Sequence, residues 1–280
     1  MTLPYINLLL KQLARGDSMV EKSFGRHIHW GYWADPAVAQ PSSVEDFGAA
    51  AERLSLELIS LAGITPGMRV LDAGCGFGGT IACLRERIPG LDLVGLNIDP
   101  RQLQRAASLV TSSDGNTISF VGGNACALPF ADNSFDRVMA VECIFHFPSR
   151  LDFLREVKRV LRPGGAMVLS DFVPHPLFAP LGKLSKLEAF SSINLFGRSD
   201  VSCTDSGYRR IAAEAGLTIT TLRDVTRNIL PTYAFLQHLG AAPNMAGVPG
   251  RRYAAPFIKL LDFYGRRGWL CYKFLRFDKP

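Results

Sequence analysis

The stretch Asp72-Ala73-Gly74-Cys75-Gly76-Phe77-Gly78, an aspartate followed by three glycines at every second position, is where residue type and spacing point most directly to chemistry. Val70 and Leu71 before it read as the end of a buried parallel strand, apolar on both faces. The glycines allow a tight turn and bring bare backbone close to a ligand. Thr80 to Arg87 starts a helix whose first amides point back at the same place. Such a strand–loop–helix unit grips a nucleotide-like cofactor. Gly74, Gly76 and Gly79 satisfy G-x-G-x-x-G, the dinucleotide fingerprint. Gly74, Gly76 and Gly78 satisfy D-x-G-x-G-x-G, and a plain glycine-rich turn is the third reading. Asp72 favours the second, because a carboxylate there would face a pyrophosphate badly and a cationic amino acid well.

The elements that must position this loop follow in regular alternation. Ser43-Val44-Glu45-Asp46 reads as the cap of a helix running to about Ala62, and Gly63–Gly67 as a turn into the first strand. Further strands are expected over Leu91–Leu96, Ile118–Val121, Phe135–Val141 and Ala166–Ser170, with helices over Arg101–Val110 and Leu151–Leu161. This β-α rhythm predicts a right-handed, doubly wound parallel sheet. Ligands bind such sheets beyond the carboxyl ends of the strands. Asn97, Asn124, Ala125, Glu142, His146 and Asp171 all fall at those ends, in one crevice with the glycine loop. From Pro174 to Ser202 the rhythm stops, which suggests a helical insertion; a helix over Asp205–Gly216 and strands over Leu217–Val225 and Trp269–Phe277 close the chain. Residues 1–22 read as one helix ending near Gly16-Asp17, and Phe24–Trp33 as an aromatic surface segment or a lid. Aromatic faces there would suit a sulfonium cation, worth ~0.5–2 kcal/mol.

A chain of 280 residues, 48% hydrophobic and 20% charged, can bury a sizeable core. No apolar stretch approaches the ~20 residues that span a bilayer, and the start lacks the marks of a secretory signal, so a cytoplasmic protein is expected. The six cysteines show no metal-type spacing and are expected as free thiols. Residues 251–280 hold eight Lys/Arg against two Asp/Glu, while the other 250 residues carry 23 of each. That basic end reads as a solvated face, or as a site for an anionic substrate or a membrane surface. No basic run elsewhere suggests nucleic acid. His27, His29 and His175 read as surface residues, and no cluster argues for a metal.

In order and spacing, VLDAGCGFGG (70–79), VGLNIDPRQL (94–103), GGNACALPFADNSFD (122–136), VECIFHF (141–147) and VLRPGG (160–165) resemble class I S-adenosylmethionine-dependent methyltransferases. The resemblance is close over residues 24–173, and HWGYW (29–33) is similar to small-molecule members, the rebeccamycin-type sugar O-methyltransferases and the tocopherol and sterol enzymes. It implies a Rossmann-like, mainly parallel seven-stranded sheet with a helical N-terminal lid (1–50), a cofactor-binding core (51–173), a helical cap inserted after strand five (174–204) and a C-terminal completion of the core (205–280). It implies S-adenosylmethionine as cofactor, held by Tyr32, Asp72, Gly74, Cys75, Gly76, Gly78, Asn97, Ile98, Gln102, Asn124, Ala125 and Glu142. Asn97 and Asn124 stand where the family usually has acids. His146 and Asp171 match positions linked to proton removal, beside the plain readings of a capping or packing histidine and a strand-end turn residue. Glu142 matches an acid that prenyl and sterol C-methyltransferases place near a developing carbocation, or else accepts from the cofactor's amino group; Phe145 replaces a second histidine found in the rebeccamycin-type enzymes. The expected reaction is methylation of a hydroxyl on a small, largely apolar natural product. The alternatives are C-methylation of a prenyl or sterol-like substrate and a non-catalytic cofactor-binding module. A monomer or a dimer, without stable membrane insertion, is expected.

Overall fold

The computed structural model of the chain describes residues 3–112, 115–180, 197–241 and 251–280, with side chains from 255 onward in the last segment. The centre of the expected cap, 181–196, and residues 242–250 lie outside the described residues. Seven strands form one sheet: β1 (Arg69–Ala73), β2 (Asp92–Asn97), β3 (Thr117–Gly122), β4 (Phe135–Val141), β5 (Leu161–Pro174), β6 (Thr218–Asp224) and β7 (Leu270–Asp278). Their order is β3-β2-β1-β4-β5-β7-β6. The first five strands pair in parallel, with Leu71 level with Val94 of β2 and Val138 of β4. β7 runs against β5: Gly164 and Gly165 bond the backbone of Lys279 at one end, and His175 bonds Trp269 at the other. The chain order reverses between β1 and β4, and that switch point is where an open α/β sheet leaves a crevice.

The fold class is thus the expected one, a mostly parallel doubly wound sheet. Two elements differ from their sequence reading. The N-terminal helix is two, Pro4–Ala14 and Ser18–Phe24. Gly16, at φ 72°, turns the chain, and the Asp17 carboxylate caps the second helix by accepting from Met19 N–H at 3.0 Å and Val20 N–H at 3.2 Å. β5 is longer than Ala166–Ser170, running on to Pro174. The cap of Val44–Ala62 is as read, with Ser43 Oγ accepting from Asp46 N–H at 3.1 Å.

By its contacts the chain divides into two compact units, each assembled from separate segments. One comprises Leu54–Asp171, Asp205–Arg223 and Phe274–Pro280. Its core is the centre of the sheet, where Val70, Leu71, Val138, Met139, Ala140 and Met167–Leu169 are fully buried. The other comprises Met1–Arg53, Phe172–Thr204 and Asp224–Lys273. Its core is aromatic: the Phe47 and Phe235 rings stack at 4.0 Å, flanked by Phe24 and Trp33. Among the described residues, no helix is long and apolar enough to cross a membrane.

The segment 29–33 is irregular but firmly held. Trp30 meets Phe172 and Tyr233 edge-on at 5.1 and 4.4 Å. Gly31 N–H donates to Thr232 Oγ1 at 3.1 Å, Tyr32 N–H to the Ala50 carbonyl at 2.9 Å, and Trp33 Nε1 to Asp46 at 2.9 Å. Packing this dense makes Phe47 the test of the aromatic core. Phe47→Ala is expected to cost about 3–5 kcal/mol, read as a lower urea midpoint. A loss within the noise would mean that the stack carries no stability.

Candidate active site

β1 delivers Asp72 and the glycine loop to the switch point. Gly74, Gly76 and Gly78 all have positive φ, at 86°, 56° and 81°, a region that favours glycine. At Gly74 space demands it too, since a Cβ would lie 2.8 Å from Cβ and Sγ of Cys143. The loop is tied down from β2, whose Leu96 carbonyl accepts from Gly74 N–H at 2.7 Å and Cys75 N–H at 3.0 Å. The helix Gly79–Arg87 begins at Gly78 with no side-chain cap, so the N–H groups of its first turn find no acceptor within the helix.

Asp72 is the unusual charge. It is 2% exposed and its Oδ1 has no hydrogen-bond partner. Burial alone lifts its carboxyl from the ordinary 3.8 to about 7. Burial, with the Asp72 carboxylate as second cause, also pushes the Cys75 and Cys143 thiols up, and Cys143 Sγ donates to the Ala73 carbonyl at 3.0 Å. A buried carboxylate oxygen left without a donor is what an ammonium group would satisfy.

At the end of β2 the Asn97 carboxamide works in both directions. Its oxygen accepts from Asp99 N–H at 3.0 Å, and its NH₂ donates to Gln102 Oε1 at 3.4 Å. Asp99, whose carboxyl is held low by Arg101, caps the helix Pro100–Leu109. A second carboxylate at 97 would have no N–H to offer Gln102 and would stand beside an ionised Asp99. Ile98 is 61% exposed. After β3, exposed Asn124 accepts from Cys126 N–H at 2.9 Å, and Ala125 is buried.

Glu142 follows β4 at φ 51°, a left-handed conformation costly for a side chain of this size. Its N–H donates to Ser170 Oγ on β5 at 3.0 Å. A short 3₁₀ turn, Ile144–His146, follows, placing half-buried His146 against Phe145 at 4.4 Å between ring centres. Asp171 does not follow β5, as the sequence suggested; it lies inside the strand and is fully buried. Its Oδ2 accepts from Arg150 Nη2 at 2.9 Å and Nε at 3.2 Å and makes a short bond with the Tyr208 hydroxyl. Arg150, Tyr208 and Ser170 escaped the sequence reading as site residues, because their partners are distant in the chain and no local spacing marks them.

Among the sequence-chosen residues, Asp72 to Gly78, Asn97, Ile98, Gln102, Asn124, Ala125, Glu142, His146 and Asp171 belong to the sheet-centred unit. Tyr32 belongs to the other. His27 and His29, expected at the surface, are instead 5% and 6% exposed. They bond to each other at 3.1 Å, and His29 Nδ1 bonds the Trp30 carbonyl at 2.9 Å. Burial, then His27, lowers His29 to about 3, so it stays neutral. His175 is exposed, as read.

A "Methyltransferase domain" family model matches residues 71–169. Methyltransferase GfsG of Streptomyces halstedii is 33% identical over 78% of this chain and 75% of its own. The 27-O-demethylrifamycin SV methyltransferase of Amycolatopsis mediterranei is 30% identical over 83% and 82%. In fold, the chain is similar to geranyl diphosphate C-methyltransferase from Streptomyces coelicolor, solved with Mg²⁺, geranyl diphosphate and S-adenosyl-L-homocysteine (TM-score 0.70, 18% identity, 97% and 98% covered). The chain belongs to the class I S-adenosylmethionine-dependent small-molecule methyltransferases. Its cofactor is S-adenosylmethionine, and the unpartnered Asp72 oxygen beside the glycine loop fits that molecule's amino-acid end.

The Asp72 carboxyl titrates near 7 when folded and near 3.8 when unfolded, so between these values the ligand-free folded chain holds the extra proton. Its contribution to stability therefore falls as pH rises through that window, by up to about 4 kcal/mol. Asp72→Asn is expected to flatten this fall in urea unfolding followed from pH 4 to 8. An unchanged profile would mean that Asp72 is not the titrating group.

Proposed function

We propose that the protein transfers the methyl group of S-adenosylmethionine to a hydroxyl oxygen of a small, largely apolar natural product of polyketide, sugar or phenol type, in the cytoplasm. Bound in the crevice, the cofactor supplies a methyl group activated by its sulfonium. Asp72 receives the ammonium end, and the loop Gly74–Gly78 with Cys75 gives backbone to the amino-acid and ribose parts. Asn97 and Gln102 offer carboxamides to the ribose. Ile98, Asn124 and Ala125 border the adenine. In-line alignment of acceptor and methyl group is worth ~7–11 kcal/mol.

His146 is the base that takes the hydroxyl proton. What carries this assignment is that Asp171, the other candidate, has an accepting oxygen already taken by Arg150 and Tyr208 in a fully buried site. Asp171 is then a positioning residue that ties β5 to Arg150 and Tyr208. The strained backbone of Glu142 supports a role at the reacting end of the crevice, where strain is stored only if the surroundings enforce it. The hydroxyl is favoured as acceptor because the rifamycin relative, whose name is that of an O-methylating enzyme, aligns over most of both chains.

Three variants separate the roles, assayed for turnover against a panel of polyketide, glycosidic and phenolic alcohols and for S-adenosylhomocysteine binding by calorimetry. His146→Ala should lower kcat by ~10²–10⁴ and leave cofactor affinity and melting temperature unchanged. Asp171→Asn should lower the melting temperature, since stripping one partner from a buried ion pair costs about 3–5 kcal/mol. If His146→Ala keeps its turnover while Glu142→Gln loses it, the acceptor is carbon, as in the prenyl and sterol enzymes. Cofactor binding without turnover on any acceptor would leave a binding module.

A further inference from the structure

None of the residues assigned above to methyl transfer lies in the basic C-terminal part of the chain. The helix Arg251–Arg266 buries one side. Ile258 is 7% exposed, and a Cβ on Gly265 would lie 3.2 Å from Leu230 and 3.6 Å from Tyr233. A different face carries Lys259, Leu260, Phe263, Arg266 and, just past the last turn, Arg267, all exposed. Their spacing follows one helical stripe in which cations flank apolar side chains. Leu260 and Phe263 are each 43% exposed.

The apolar part of this stripe continues onto a second segment. Phe263 meets Trp269 edge-on at 5.4 Å, and Trp269 stacks on Phe178 at 4.3 Å. The His175 N–H donates to the Trp269 carbonyl at 2.9 Å, which fixes the turn bearing Leu177, 79% exposed. The Arg267 guanidinium lies 5.3 Å from the centre of the Phe263 ring. Asp262 is the only acid between Ala255 and Trp269, and Arg266 pairs with it at 2.9 Å.

We propose that this face docks the protein on the surface of an anionic lipid bilayer. Leu177, Leu260, Phe263 and Trp269 would enter the boundary between headgroups and acyl chains, where an indole is at home. Lys259 and Arg267 would stay level with the lipid phosphates, their stems lying along the apolar surface. A second copy of the chain is the poorer occupant, because a two-fold contact would set the same cations against each other. The proposal stands independently of the acceptor assigned above.

The test is co-sedimentation of the full chain with phosphatidylcholine vesicles, with and without phosphatidylglycerol. Binding is expected only with the anionic lipid, and it should weaken at high salt. Leu260→Ser with Phe263→Ser should reduce partitioning about tenfold or more, and Lys259→Gln with Arg267→Gln should do the same. Both pairs should leave the melting temperature and S-adenosylhomocysteine binding unchanged. Brominated lipid should quench Trp269 emission, with Trp269→Phe as the control, since Trp30 and Trp33 are buried. The proposal is overturned by no vesicle binding at low salt, by binding that neither pair weakens, or by an oligomer that the Leu260/Phe263 pair dissociates.

Discussion

One backbone carbonyl holds the site together. Leu96, at the end of β2, accepts from both Gly74 and Cys75 and so pins the first turn of the glycine loop to the neighbouring strand. Without that tie, three positive-φ glycines in five residues would be a flexible hinge, since glycine gives up more conformational freedom than any other residue. With it, the loop becomes a fixed concave edge, and the close approach of Cys143 to Gly74 completes the fit. β1 can carry this load because it is buried on both faces and paired on both sides.

Two buried aspartates in the same unit show how surroundings divide the work of one residue type. Asp171 has a guanidinium and a phenol on one oxygen, so its charge is compensated within the protein. Asp72 has burial and an oxygen without a donor, so its charge is uncompensated until something cationic arrives. A buried group left unsatisfied is costly. In a binding site that cost becomes affinity for the ligand that relieves it. Asn97 follows the same logic from the other side: with Asp99 already ionised nearby, a neutral carboxamide hands on a hydrogen bond where a carboxylate would add repulsion.

Local signals in the sequence determined the sheet's elements and most of the candidate cofactor crevice. Glycine spacing, the alternation of apolar runs with helical periodicity and the Ser43 cap act within a few residues, so β1, β2, β3, β4 and the helix Val44–Ala62 were legible before any packing was known. The tertiary structure alone decided what depends on distant partners. Gly16 and Asp17 could end one helix or join two, and the structure takes the second course. Hydrophobicity could not show that His27 and His29 are buried, because partners brought together by folding, among them their mutual bond, the Trp30 carbonyl and the Glu52 carboxylate near His27, make that tolerable. The partners of Asp171 are separated from it by 21 and 37 positions, and the ring that covers Phe47 by nearly two hundred. Charge compensation and close packing are properties of neighbours in space, and no window of sequence contains them.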